Sequence, residues 1–129
     1  MNLHRDLQAR AENGNPVRVG LIGAGKFGTM FLSQALRTPG LHVMVIADLD
    51  PERVKRNLAT TGWTPHQYGA TSAAKALADG TTFVTDNSDK VFEAGGLEVV
   101  IEATGDPEVG IRHALAAIER GRHIVMVNV

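Results

Sequence analysis

The chain contains no cysteine among its 129 residues, which excludes disulfides, a thiolate metal site and a cysteine nucleophile, and accords with a reducing compartment. Long apolar runs are missing too. Nothing approaches the roughly 20 residues that cross a bilayer, and Met1 to Glu12 mixes His4, Arg5, Asp6 and Arg10 among its leucines without a signal-peptide core. Neither sign of charge dominates: 13 Lys and Arg face 14 Asp and Glu, for a net charge of −1. Such a balance builds no field for nucleic acid or an anionic membrane. The five histidines, His4, His42, His66, His113 and His123, show no metal-ligand spacing, and each reads as an ordinary residue. These absences predict a soluble, cytoplasmic protein with no metal and with neither nucleic-acid nor membrane partners.

What is abundant is glycine, 14 residues in all, and three of them fall in Val17-Arg-Val-Gly-Leu-Ile-Gly-Ala-Gly-Lys-Phe-Gly28. Gly23, Gly25 and Gly28 have G-x-G-x-x-G spacing. The pattern is common, so its neighbours decide its worth: it follows an apolar strand, opens a helix and is answered by an acid about 20 positions on. Asp48 is that acid. It ends a second buried strand, Leu41 to Asp48, after a helix over residues 26 to 37 with Phe27, Met30, Phe31, Ala35 and Leu36 inward and Lys26, Gln34 and Arg37 outward. Thr38-Pro39-Gly40 stops that helix.

The remaining pattern continues in alternation. Residues 3 to 12 predict a short amphipathic helix, with 1–16 as helix and linker; it either packs on a neighbouring domain or subunit, as in a homo-oligomer, or is a mobile leader. Asp50-Pro51-Glu52 starts a helix that turns Val54 and Leu58 inward and ends near Gly62. An irregular stretch, Trp63 to Gly69, holds the single Trp and Tyr. Thr71 to Asp79 reads as helix, Thr81 to Thr85 as strand, Asp89 to Ala94 as helix and Leu97 to Ala103 as strand. Pro107 to Arg120 reads as a helix burying Val109, Ile111, Leu115 and Ile118, and Arg122 to Val129 as a last strand. Right-handed βαβ units of this kind build a parallel sheet. The prediction is an α/β Rossmann-type three-layer sandwich over 17–129, with a mostly parallel sheet of about five strands in the order 3-2-1-4-5 and a crevice between strands 1 and 4.

The motifs then carry a chemistry. Gly23 permits a tight turn, Gly25 lets backbone approach a pyrophosphate, and Gly28 lets helix and strand pack closely. Amides of Lys26 and Phe27 in the first turn face the phosphates with the helix dipole behind them. The Lys26 side chain is either a phosphate contact or simply solvated. Asp48 is placed to accept ribose hydroxyls, favouring NAD, or else merely starts the turn before Pro51. Arg53, with Lys55 and Arg56, either offsets Asp48 to receive the 2′-phosphate of NADP or lies on a solvated face. Ala103, Thr104 and Gly105 form the other wall, with Thr104 as a donor. Glu102 either reaches the nicotinamide end or caps a turn, and Asn128 is a further polar candidate. No catalytic residue is assigned, since no acid–base set is placed by the sequence.

Residues 19–28, 47–53, 100–105 and 121–128 together resemble the N-terminal cofactor domain of homoserine-dehydrogenase-like oxidoreductases, and among them the SAF-domain and deoxyxylulose-phosphate-reductoisomerase-like proteins. The resemblance implies an NAD(P)-dependent enzyme acting on a small-molecule carbonyl or hydroxyl substrate, with its acid–base groups beyond residue 129. Where homoserine dehydrogenases have Ala-Asn-Lys, the chain keeps Asn128 but has Val129. The Glu-Lys-Pro of glucose-fructose-oxidoreductase-type enzymes is also absent, so neither activity carries over. A dinucleotide-sensing or interaction module is the alternative, and a methyltransferase using a similar glycine turn is a third, poorer fit.

Overall fold

The computed structural model describes residues 2–127. Eleven elements follow one another: α1 (Leu3–Glu12), β1 (Val17–Ile22), α2 (Lys26–Ala35), β2 (Leu41–Ala47), α3 (Pro51–Thr60), α4 (Ala73–Asp79), β3 (Phe83–Thr85), α5 (Asp89–Glu93), β4 (Val99–Glu102), α6 (Pro107–Glu119) and β5 (His123–Met126). The strands form one five-stranded sheet in the order β3-β2-β1-β4-β5, and every pairing is parallel. This is the α/β Rossmann-type sandwich.

Local chemistry explains the boundaries. Asp50 caps α3 by accepting the Arg53 amide, with Pro51 at the first helical position. Ser72 caps α4, and Gly80, in the left-handed conformation, ends it. Helix α1 follows Asn2, whose side chain accepts the Arg5 amide. It buries no residue. It is tied to the sheet by Arg10, which meets the Glu98 carboxylate at 2.6 Å, and by the Leu7 carbonyl, which lies directly against Gly40.

The sheet has two apolar faces, as parallel sheets require. On one, Leu21, Val43 and Ile46 pack with Leu32 and Ala35 of α2, Val54 and Leu58 of α3, and Trp63. The indole of Trp63 donates to the Leu32 carbonyl at 3.2 Å, so the irregular stretch after α3 serves as part of the core. On the other face, Met44, Val45 and Val100 pack with Ala76 of α4, Val91 and Phe92 of α5, and Ala117 of α6.

Two helix faces differ from expectation. In α2, Leu32 is buried while Met30 is 62% exposed; Gly28 and Ala35 are its other buried residues. In α6 the reversal is larger. Ile111, Leu115 and Ile118 are exposed, whereas Gly110 and Ala117 are buried. Both sides of α6 are apolar, and the small side is the one that approaches the sheet. Leu115→Lys is therefore expected to shift stability by less than about 0.5 kcal/mol, as for an ordinary surface change. Urea denaturation checks this, and a loss above about 2 kcal/mol, the range of buried leucines, would place Leu115 in a packed interface.

Candidate functional site

The C-terminal ends of β1, β2 and β4 lie side by side, and the loops that leave them meet. The Gly23 amide donates to the Ala47 carbonyl at 2.8 Å, and the Ala103 amide donates to the Ile22 carbonyl at 2.8 Å. Gly23 has φ +88°, and a Cβ there would lie 2.8 Å from the carbonyl carbon and oxygen of Ala103. Only glycine fits, for its backbone conformation and for its neighbour. Gly28 does the second job assigned to it: a Cβ would come 2.8 Å from the Gly23 carbonyl oxygen, so α2 sits tightly on the loop. Gly25 is different. It precedes α2 as its N-cap with φ −74°, and a Cβ there would meet nothing within 4 Å. No neighbouring atom demands glycine at this point. An approaching ligand would.

Lys26 is exposed at the start of α2, where a cation opposes the helix dipole. Phe27 packs against the α2–α3 core, so its side chain supports the loop and only its amide is left to face a ligand.

Asp48 is held from three sides. Its Oδ2 accepts the Ala24 amide at 2.8 Å, its Oδ1 accepts the Asp50 amide at 2.9 Å, and the Arg53 guanidinium reaches Oδ1 at 3.0 Å and Oδ2 at 3.2 Å. The Asp48 side chain is 6% exposed and that of Arg53 43%. Burial pushes the Asp48 carboxyl up, but the two amides and then the Arg53 guanidinium outweigh it and hold the group below the ordinary carboxylate value. Both readings of Asp48 thus have a basis: it ties the glycine loop to the start of α3, and it carries a charge at the end of β2. Arg53 is the offsetting guanidinium that the sequence suggested, while Lys55 pairs with Glu52 at 3.8 Å on the surface.

On the far side of β1, Ala103, Thr104 and Gly105 form the second wall. Thr104 and Gly105 are exposed, and Gly105 has φ +74°. Glu102 is 2% exposed and points back into the protein: its Oε1 accepts the Thr104 amide at 2.8 Å and the Thr104 hydroxyl, and its Oε2 contacts Nδ1 of His113. The turn-capping alternative describes this carboxylate. His113, which read as ordinary in sequence, is the residue that reasoning missed. A buried carboxylate demands a partner, and that demand was the available signal, but no spacing rule places a residue of α6 beneath β4. Asn128 and Val129 lie outside the described residues. Among the described residues, no group of three or more His, Cys, Asp or Glu would hold a metal, and no helix is long and apolar enough to cross a membrane.

Neither a protein-family model nor a curated protein sequence matches the chain. Solved structures do. The myo-inositol dehydrogenase of Lactobacillus casei, in complex with NAD(H) and myo-inositol, superposes with a TM-score of 0.64 at 15% identity over 86% of this chain and 28% of its own. The likeness is one of fold. The scyllo-inositol dehydrogenase of the same organism, with bound NAD(H), gives 0.63 at 11% identity over 87% of this chain and 28% of its own. A levoglucosan dehydrogenase complexed with NADH and levoglucosan gives 0.62 at 22% identity over 87% and 27%. The chain thus spans little more than a quarter of each of these proteins.

The structure therefore brings Gly23, Gly25, Gly28, Asp48 and the Ala103–Gly105 turn to one end of the sheet. Arg53 joins them through Asp48, Lys26 stands at the rim, and Phe27 belongs to the core.

Proposed function

We propose that the chain is the NAD(P)-binding part of an oxidoreductase. The observation that carries this reading is Gly25, a glycine whose Cβ position is open, at the start of a helix between two walls that meet at Gly23 and Ala103. A cradle that a Cβ would fill, backed by helical amides, suits a pyrophosphate. In this reading the amides around Gly25 and Lys26 hold the pyrophosphate, Asp48 and Arg53 address the adenosine ribose, and Ala103 to Gly105 flank the nicotinamide half. The bound cofactor supplies the hydride chemistry. The chain's own part is to bind and orient it, and the substrate, a small carbonyl or hydroxyl compound, is held by protein outside these 129 residues. The homoserine-dehydrogenase-like assignment rests on the sequence motifs at residues 19–28, 47–53, 100–105 and 121–128. The bound NAD(H) of the inositol dehydrogenases and the NADH of the levoglucosan dehydrogenase support the nicotinamide cofactor.

Calorimetric titration with NAD⁺, NADH, NADP⁺ and NADPH tests the proposal. Saturable binding of at least one, in the micromolar to millimolar range, is expected; no heat from any of the four at millimolar concentration would refute it. Binding without turnover on any added carbonyl or hydroxyl compound separates a cofactor module from a complete enzyme.

A further inference from the structure

Among the described residues, Glu102 is the one buried carboxylate that the cofactor reading leaves without a role. Its side chain is 3% exposed and that of His113 13%. A turn cap needs a single acceptor oxygen, and Oε1 already serves by taking both the amide and the hydroxyl of Thr104. Oε2 is committed to His113, on a different element. The hydroxyl of Thr104, having donated to Glu102, accepts the Asp106 amide at 3.3 Å. Asp106 in turn caps α6 by accepting the amides of Glu108 and Val109. A closed chain of contacts results: His113 to Glu102, Glu102 to Thr104, Thr104 to Asp106, and Asp106 to the same helix that carries His113.

Two neighbours lie against this chain. A Cβ on Gly110 would lie 3.7 Å from Cγ of Glu102, an ordinary contact, and 3.0 Å from Cε of Met126, so α6 lies within van der Waals reach of the Glu102 stem. The ring of Phe92 packs against that of His113 with centroids 5.6 Å apart, which fixes the imidazole from the other side. On the crevice side the turn that Glu102 holds is the one against which Gly23 is pressed, with the Thr104 amide nitrogen 2.9 Å from where a Gly23 Cβ would be.

We propose that Glu102, clamped by His113, is a positioning residue for the nicotinamide-side wall of the crevice. The inference rests on the dinucleotide reading. The sheet order decides which half of the cofactor it serves. Asp48, at the end of β2, addresses the adenosine ribose, and the glycine loop after β1 the pyrophosphate. β4 lies on the opposite side of β1 from β2, so the turn after β4 meets the other half. Glu102 touches no cofactor atom itself; by accepting the Thr104 amide and hydroxyl it fixes the turn that lines the crevice.

The test compares NADH with ADP, which carries the adenosine and both phosphates but neither the second ribose nor the nicotinamide. Losing a charged hydrogen-bond acceptor, Glu102→Ala is expected to weaken NADH about tenfold and to leave ADP within about twofold. Glu102→Gln, which keeps an oxygen for the Thr104 amide, should restore NADH binding to within about threefold of the parent chain. Equal losses for NADH and ADP, no NADH loss in a folded Glu102→Ala chain, or a Gln variant as weak as the Ala variant would each overturn the proposal. If Glu102→Ala fails to fold by circular dichroism, His113→Leu carries the test. It removes the clamp and leaves the Glu102 carboxylate to Thr104 alone, and an unchanged NADH affinity there would refute the assignment. Failure of the unmodified chain to bind either ADP or NADH is a different result, and brings down the cofactor reading itself.

Discussion

Gly23→Ala is expected to cost about 2 to 5 kcal/mol of folding stability, a large share of the roughly 5 to 15 kcal/mol that holds a domain together. Two contributions add. An L-residue at φ +88° is strained by about 1 to 2 kcal/mol, and a Cβ 2.8 Å from the Ala103 backbone forces an overpacked site at about 1 to 3 kcal/mol. The neighbour cannot yield cheaply, because it is main chain hydrogen-bonded to Ile22. Scanning calorimetry should show a melting temperature lower by about 8 to 20 °C. Gly25→Ala is the matched control. Its Cβ enters open space and its φ is −74°, so neither contribution at Gly23 applies and stability should fall by no more than about 1 kcal/mol. Dinucleotide binding, by contrast, should fall steeply at Gly25. A stable Gly25→Ala chain that binds NADH normally would remove the pyrophosphate from this loop.

Asp48→Ala is expected to act on stability and on cofactor choice together. The buried Ala24 amide loses its acceptor, a loss of about 1 to 3 kcal/mol. Arg53, released from Asp48, becomes available to a 2′-phosphate. NAD(H) should therefore weaken about tenfold, and NADP(H) distinctly less; equal losses would make Asp48 a turn residue only. The acid side of the stability curve provides a second readout. Asp48 lies below its ordinary value of 3.8 in the folded chain. The stability it contributes is fully present above 3.8 and is lost as pH falls through the lower folded value. His42 is also held below its ordinary 6.5, chiefly by burial, although its Nε2 contacts the Thr81 carbonyl at 2.6 Å. The unfolded chain thus takes up that proton first, and stability declines from about pH 6.5 downward. Asp48→Ala should flatten the lower arm and keep the upper one. A variant whose lower arm is undiminished would show that Asp48 does not carry it.

Most of the architecture was legible because it is written in local signals. Strand, glycine turn, helix, strand and acid follow one another without a break, and Asp50-Pro51 and Gly80 mark helix ends by their own chemistry. Helix orientation was less so. In α6 the apolar residues Ile111, Leu115 and Ile118 share one side, while Gly110 and Ala117 share another, and periodicity gives no preference between a large apolar face and a small one. Closeness to the sheet decides, and closeness is tertiary. Met30 and Leu32 exchange places for the same reason. At the site, the positions of the glycines and of Asp48 were readable from spacing, but the partners were not. That the Ala24 amide turns to Asp48, or that His113 lies beneath Glu102, depends on how loops and helices settle across the ends of the strands.

Helix α1 leaves a consequence for dynamics. It has a side-chain cap and an ion pair to Glu98, yet no side chain of its own in the core. Its attachment is a carbonyl resting on Gly40 and a half-exposed guanidinium. Opening it uncovers almost no apolar surface, whereas opening β1 uncovers Val19, Leu21 and Ile22. In deuterium exchange the amides of residues 3–12 thus belong to the fast, locally fraying class, and those of β1 to the class released only by global unfolding. The first ten-residue helix is a detachable unit riding on a sheet that holds together without it.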